Sequence, residues 1–371
     1  MAFIGVDLHS NRFTVARMSI GNEELTIMKD TYTFESESYR RFEESLDSED
    51  YLLVENSTNA FWFHDLICDQ VEACYVYNTN EVKRKGNKND KLDAEKLAKK
   101  LGYYVLMGGD EKDLPTVYVP EEKVRELRGL TTTYQMYNKM KTQMKNRIHS
   151  ILKQNGICIH RNQIDLKNFG EWVDEQNLSD TWKMQIHFFL TTLKGNGEQQ
   201  KEVKEMIYVL GSELFGEEIE LLLSIRGFSV FTAIVLMSEV ADINRFTRAK
   251  RFCSYLRTAP RTNASNETVH VGSINRQSRS MTCALLTQSV THFGQIGPHI
   301  SEFYERVKVG KSAGKSRIAV IRKILVCAYN MLKKHERFHW TEEKLYTKKL
   351  REYHKEMARL MKSRKERKKA A

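Results

Sequence analysis

The chain has 371 residues, long for one average domain, so two compact units with a helical connection are expected. Its 59 Lys and Arg against 48 Asp and Glu leave a formal charge of +11, which favours polyanionic partners through counterion release and points to nucleic acid. No apolar run approaches the roughly 20 residues that cross a bilayer, the start MAFIGVDLHS lacks the blocks of a secretory signal, and the six cysteines form no CxxC pair; a membrane span, a zinc ribbon and a redox pair are therefore not expected, and a reducing cytoplasm is.

In chain order, FIGVDL and FTVARMSI read as paired strands, YLLVEN as a short apolar strand, AFWFHDLI as a helix and ACYVYN as a further strand. That order predicts an α/β layer with helices over a sheet whose central strands are apolar on both faces. The pattern changes near Pro115 and Pro120. From Glu121 to Gln154, Val124, Leu127, Tyr134, Tyr137, Met144, Ile148 and Ile151 recur in steps of three and four, a seam for helix pairing in a coiled coil or bundle. Lys139, Lys141, Lys145 and Arg147 flank it and read either as a solvated face or as nucleic-acid contacts. A second helical stretch covers Leu178 to Gly216, with a break expected at Gly195 and Gly197.

From Glu217, ELLLSIRGFSVFTAIVLMSEV reads as helix, tight turn at Arg226 to Ser229, then helix: a helix-hairpin-helix outline, whose second N-terminus suits a phosphate, or a plain helical corner. The stretch that follows, through LRTAPRTNASNETVHVGSINRQSRS, is expected to be a loop rich in hydroxyls and Arg. SRIAVIRKILVCAYNMLKK is an amphipathic helix, and KSRKERKKAA a basic tail, either a frayed solvated end or an aid to sequence-independent DNA binding.

Four carboxylates stand out. Asp7 sits within an apolar strand, where an ionised group is costly unless paired or holding a metal. Glu55 ends another apolar strand, at the sheet edge where open α/β sheets place ligands. In NKNDKLDAEKLAKKL, Asp90 and Asp93 lie three apart on one helix face; alone they read as a helix cap and a first-turn acid. Together the four suit Mg²⁺ or Mn²⁺ and the stabilisation of attacking and leaving oxygens in phosphoryl transfer.

The stretches GVDLHSNRF, LLVENSTNAFW and NKNDKLDAEKLA closely resemble the Asp, Glu, Asp, Asp motifs of the DEDD transposases that include the Piv/MooV DNA invertases. VRELRGLTTTYQMYNKMKTQMKNRIHSILKQNG resembles that family's helical connection, and LLLSIRGFSVFTAIVLMSEVADINRFTRAKRFCSYL its C-terminal transposase domain. The resemblance implies an α/β plus α chain: a RuvC-like (RNase H-like) catalytic domain over 1–115, a helical or coiled-coil connection over 116–216, a mainly α-helical transposase domain over 217–340 and a basic helical tail over 341–371.

It also implies Asp7, Glu55, Asp90 and Asp93 as Mg²⁺ or Mn²⁺ ligands, a covalent serine nucleophile in the C-terminal domain, DNA donor and target, and, for many insertion-sequence members, a structured bridge RNA. The family's serine follows a Leu-x-x-x-Pro segment; here Ser265 lies five residues after Pro260, with Asn266 where the family has Gly. Ser273 is its nearest rival. The family's G-x-I-x-K-x-G-N run reads Gly272 to Arg279, with Arg276 in the Lys position, and Arg276 and Arg279 are expected to steady phosphate charge. A homo-oligomer, dimer or tetramer, follows from the need to break four strands. Alternatives sharing these residues are an RNA-independent invertase, a water-using junction nuclease and a non-catalytic nucleic-acid-binding protein.

Overall fold

The computed structural model describes residues 1–21, 24–78, 90–110, 113–160, 162–265, 268–274, 280–293, 298–310 and 312–370. The chain divides into two compact units, Met1–Pro120 and Glu121–Ala371. No helix among the described residues is long and apolar enough to cross a membrane.

The first unit is built on a five-stranded mixed sheet with helices on both faces, an α/β arrangement. Its strands are β1 (Phe3–Leu8), β2 (Arg12–Gly21), β3 (Glu24–Thr33), β4 (Tyr51–Glu55) and β5 (Ala73–Tyr77), in the order β3-β2-β1-β4-β5. β1 pairs antiparallel with β2 and parallel with β4, which pairs parallel with β5. Every residue of β1 is buried because both faces are covered. Ile4, Val6, Leu52 and Val54 face α1 (Ser36–Glu43) and α2 (Ala60–Ile67), around an aromatic knot in which Phe13 lies 4.9 Å from Phe42 and 5.3 Å from Phe63 between ring centroids. Phe3 and Leu53 face α3 (Asp90–Leu106), which contributes Ala94, Leu97, Ala98 and Leu101. The strand β3 and the helix α1 escape the sequence reading. As an edge strand β3 buries little, with Leu25 and Met28 both more than half exposed, so its alternation carries a weak signal.

In the second unit α4 (Glu122–Gln154) runs antiparallel to α6 (Asp180–Leu223): Asn196 Nδ2 reaches Met144 Sδ at 3.6 Å and Gln200 Nε2 donates to Asn138 Oδ1 at 2.9 Å. Their far end is closed by a small core of Ile148, Ile151, Leu152, Ile186 and residues of the short helix α5 (Phe169–Glu175). The break expected at Gly195 and Gly197 is absent, and α6 runs through both. Its backbone departs from helical geometry at Phe215 (φ −138°, ψ 34°), whose ring is buried in the main core. Pairing with α4 over this stretch offsets the propensity cost of the two glycines, about 1 kcal/mol each.

A turn with Gly227 in the left-handed region (φ 90°) leads into α7 (Val230–Val240), where Ser229 caps the helix by accepting from Thr232 N at 3.1 Å. Phe231 through Val240 are all buried, so α7 is the pillar of the main core. Around it stand α8 (Ala249–Tyr255), α9 (Met281–Phe293), α10 (Pro298–Gly310), α11 (Ala313–Lys334) and α12 (Glu343–Ala370). The stretch expected to be loop after α8 is in part an antiparallel hairpin of β6 (Pro260–Ser265) and β7 (Thr268–Ile274). The basic tail is helical, and α12 is fastened to α6 by Arg359–Glu205 at 3.3 Å and Arg364–Glu213 at 2.9 Å, with Leu360 buried between.

Within this core Arg128 of α4 is buried, its Nε donating to Ser238 O at 2.6 Å and its Nη2 to Glu239 O at 2.9 Å, the carbonyls that end α7. Arg128→Ala is expected to lower stability by about 1–3 kcal/mol, mainly through Ser238 O, because Glu239 O keeps the hydroxyl of Tyr255. Arg128→Lys should recover only part of the loss, because an ammonium does not reproduce the planar two-point contact. Urea midpoints of the three proteins measure this.

Candidate active site

Three strands deliver side chains to one edge of the first unit. The parallel register of β1 and β4 matches Val6 with Val54, so Asp7 and Glu55 stand one step beyond on neighbouring strands, on the face that carries Phe3 and Leu53. Glu55 is in turn matched with Tyr77 of β5, whose ring lies beneath Lys100 Nζ at 5.3 Å. Asp7 is 5 % exposed, and His9 Nε2 approaches its Oδ2 at 3.6 Å. The turns after β1 and β4 are tied together, Asn59 Nδ2 donating to His9 O at 3.1 Å while Ser57 Oγ donates to Asn59 Oδ1 at 2.9 Å.

The helix α3 covers this face by direct backbone contact. A Cβ on Gly5 would lie 2.1 Å from Ala94 O and 2.4 Å from Ala98 N, and one on Gly102 would meet Met18 and Phe3. Passing from Gly102 over Phe3 to Ala94 and Ala98 over Gly5, the helix runs opposite to β1, and the turn opening at Asp90 lies towards the Asp7 end. Asp90 is the first residue of α3 and its side chain lies outside the described part. Asp93 is half-buried and accepts from Lys96 Nζ at 3.0 Å. Among the described residues no group of three or more His, Cys, Asp or Glu gathers closely enough to hold an ion.

The helix is also fastened electrostatically. Glu95 pairs with Lys29 of β3 and with Lys99 at 2.6 Å, and hydrogen bonds from Lys29 and then Lys99 hold its carboxyl down to about 2.

In the second unit Ser265 is the last residue of β6 and is matched with Thr268 of β7; Asn266, Arg276 and Arg279 lie outside the described residues. The side chains of Ser265 and Ser273 are likewise outside the description. What holds this segment is Glu239, a buried carboxylate in an otherwise apolar helix. Its Oε1 accepts from Met281 N at 3.1 Å and its Oε2 from Thr282 N at 3.3 Å, at the start of α9, while Tyr255 at the end of α8 donates its hydroxyl to Glu239 O at 2.9 Å. Sequence reading passed over Glu239, although a charge within VFTAIVLMSEV is the same signal that singles out Asp7. It passed over His9, Glu95 and Lys29 as well, which carry no such signal. Of the basic residues on α4, Lys139 and Arg147 are exposed, whereas Lys145 is half-buried and paired with Asp165.

Two family models match the chain. One, described as transposase and belonging to the DEDD type of IS110, matches residues 4–157, and the other, described as the transposase IS116/IS110/IS902 family, matches residues 219–305. No curated protein matches. The first match contains Asp7, Glu55, Asp90 and Asp93 and the second contains Ser265; together they support a DEDD transposase.

Gly5→Ala is expected to push α3 off β1 and to destabilise the protein by about 1–3 kcal/mol, seen as a lower urea midpoint with an unchanged slope. Because the folded-state pKa of Glu95 lies below its ordinary 4.5, its contribution is complete above about 4.5 and is lost as pH falls towards 2. Thermal midpoints should therefore drop less steeply across that window in Glu95→Gln than in the parent protein.

Proposed function

We propose that this DEDD transposase, with IS110-family domains, cuts and rejoins DNA through a covalent serine intermediate. In this reading Asp7, Glu55, Asp90 and Asp93 hold Mg²⁺ or Mn²⁺ and Ser265 is the nucleophile. The observation that carries it is the register of β1 and β4, which sets two carboxylates side by side at a buried strand end, together with the close seating of α3 that brings its acidic first turn towards the same end. Carboxylates from three elements are hard oxygen donors of the kind these ions prefer. When bound, the ions supply positive charge to the phosphate and to the attacking and leaving oxygens.

The chain's own part is then definable. Ser265 Oγ loses its proton and attacks phosphorus, the bond to the deoxyribose oxygen breaks, and a phosphoserine diester forms that keeps the bond energy for rejoining; a hydroxyl on the other DNA end later displaces Ser265. Arg276 and Arg279 steady the charge on the phosphate. The excess of cations, with Lys139 and Arg147 exposed on α4, supports DNA and a structured guide RNA as ligands. Two duplexes call for a homo-oligomer, a dimer or tetramer.

Ser265→Ala is expected to abolish covalent protein–DNA adducts and to reduce strand exchange on the order of 10³-fold or more, and Ser273→Ala to leave both intact. Asp7→Ala or Glu55→Ala should stop cleavage while DNA binding persists. Denaturing gels of the protein with labelled DNA read the adduct. Cleavage that survives Ser265→Ala would mean that water is the nucleophile. Sequencing nucleic acid that copurifies with the protein tests the guide, and the absence of a discrete structured RNA counts against it.

A further inference from the structure

An aromatic and cationic cavity of about 380 Å³ lies in the second unit between α10, α11 and the turn that precedes α12, and its lining includes none of the residues assigned above. It is lined by His299, Phe303 and Arg306 of α10, Lys323 and Cys327 of α11, and Trp340. Trp340 is 44 % exposed, so part of its indole is open to a ligand. His299, His339 and Phe338 surround it with ring centroids at 5.9, 5.1 and 5.6 Å and interplanar angles of 60°, 81° and 66°. All three approach edge-on, so among the described residues no ring lies flat against the indole.

The backbone that carries the indole is fastened on both sides. Phe338 is buried and donates its N–H to Ser224 Oγ at 3.0 Å, and Thr341 N donates to Phe338 O at 3.1 Å, closing a turn with His339 and Trp340 at its two central positions. The ion pair of Glu342 with Arg226 at 2.8 Å pins the far side. Two cations stand at the other wall: Lys323 Nζ lies 4.6 Å and Arg306 Cζ 5.7 Å from the ring centroid of Phe303. Neither is in an ion pair with a carboxylate among the described residues, and Glu302 is the one acid on the lining.

We propose that this cavity binds an unpaired nucleobase of a single-stranded segment, the base stacked on Trp340 and the flanking phosphates met by Arg306 and Lys323. The proposal rests on the reading of this chain as one that handles nucleic acid, but not on its serine or its metal. An aromatic face beside cations that carry no ion pair among the described residues matches the two features that bind single strands, a stacking platform and a positive path for the backbone. A paired base has both faces covered by its neighbours and cannot enter, so the cavity selects unpaired segments. A greasy peptide would use the indole but would gain nothing from the two cations.

The test is equilibrium binding, in chelator so that no cleavage intervenes, of the full chain to a short oligothymidylate, an oligouridylate and a DNA duplex of the same length. Trp340→Ala should weaken the single strands roughly tenfold, leave the duplex within about twofold, and leave the salt dependence unchanged; Trp340→Phe should retain most of the affinity. Lys323→Ala should flatten the single-strand salt slope by about 0.7. Loss for the DNA oligomer alone, the RNA oligomer alone or both identifies the source of the segment and supports the site in each case. Unchanged single-strand affinity in Trp340→Ala overturns it, and so does an equal loss for duplex and single strand. A changed sedimentation coefficient without a binding defect also overturns it, by making Trp340 a protein contact. Because adduct formation by Ser265 is read separately, failure here leaves the reading of the active site standing, and the reverse holds too.

Discussion

One missing side chain sets the geometry of the first unit. The backbone of α3 rests on that of β1 because residue 5 is glycine; any Cβ there would overlap Ala94 O and Ala98 N. Close seating fixes the height of the helix, and its antiparallel run fixes which end of β1 its first turn reaches. Asp7 and Glu55 arrive at that end by strand pairing, Asp93 by helix packing, so two independent constraints meet at one sheet edge. The Lys29–Glu95–Lys99 group adds lateral restraint, and its exposure to solvent makes it a minor contributor beside the packing.

Buried and half-buried charge in the second unit has a different purpose. Arg128, Glu239 and Lys349 each meet the end of a helix: Arg128 takes the last carbonyls of α7, Glu239 takes the first N–H groups of α9, and Lys349 donates to Leu223 O and Ile225 O at the end of α6, at 3.0 and 2.9 Å. Helix ends inside a core leave polar groups that water cannot reach, and each of these side chains satisfies two of them. Burial together with the Arg226 charge lowers the Lys349 ammonium to about 8, which shows the cost of using a lysine for this task.

The sequence made the central strands legible because burial on both faces leaves them almost wholly apolar, and for the same reason Asp7 and Glu55 stood out as charges in the wrong surroundings. Long helices were legible from their period. The edge strand β3 was not, since it buries so few residues, and neither was the hairpin of β6 and β7, whose Thr, Asn, Ser and Arg residues imitate a loop. Gly195 and Gly197 misled for a local reason: propensity is a property of single residues, and α6 gains its continuity there from α4. How Gly5 seats α3 could not be read either, because the contact is between backbones and leaves no mark on the surrounding side chains.

Glu239 shows why a buried acid need not be chemical. Its carboxylate meets the N–H groups that open α9, and its own carbonyl is taken by Arg128 and by Tyr255 at the end of α8. The segment between α8 and α9, which carries Ser265, is thus held at both ends by one residue of the pillar helix. Asp7 differs in every respect that chemistry requires: it stands at a strand end and at a sheet edge, beside a second carboxylate. Burial draws attention to both residues, and only what surrounds each of them separates a clamp from a candidate metal ligand.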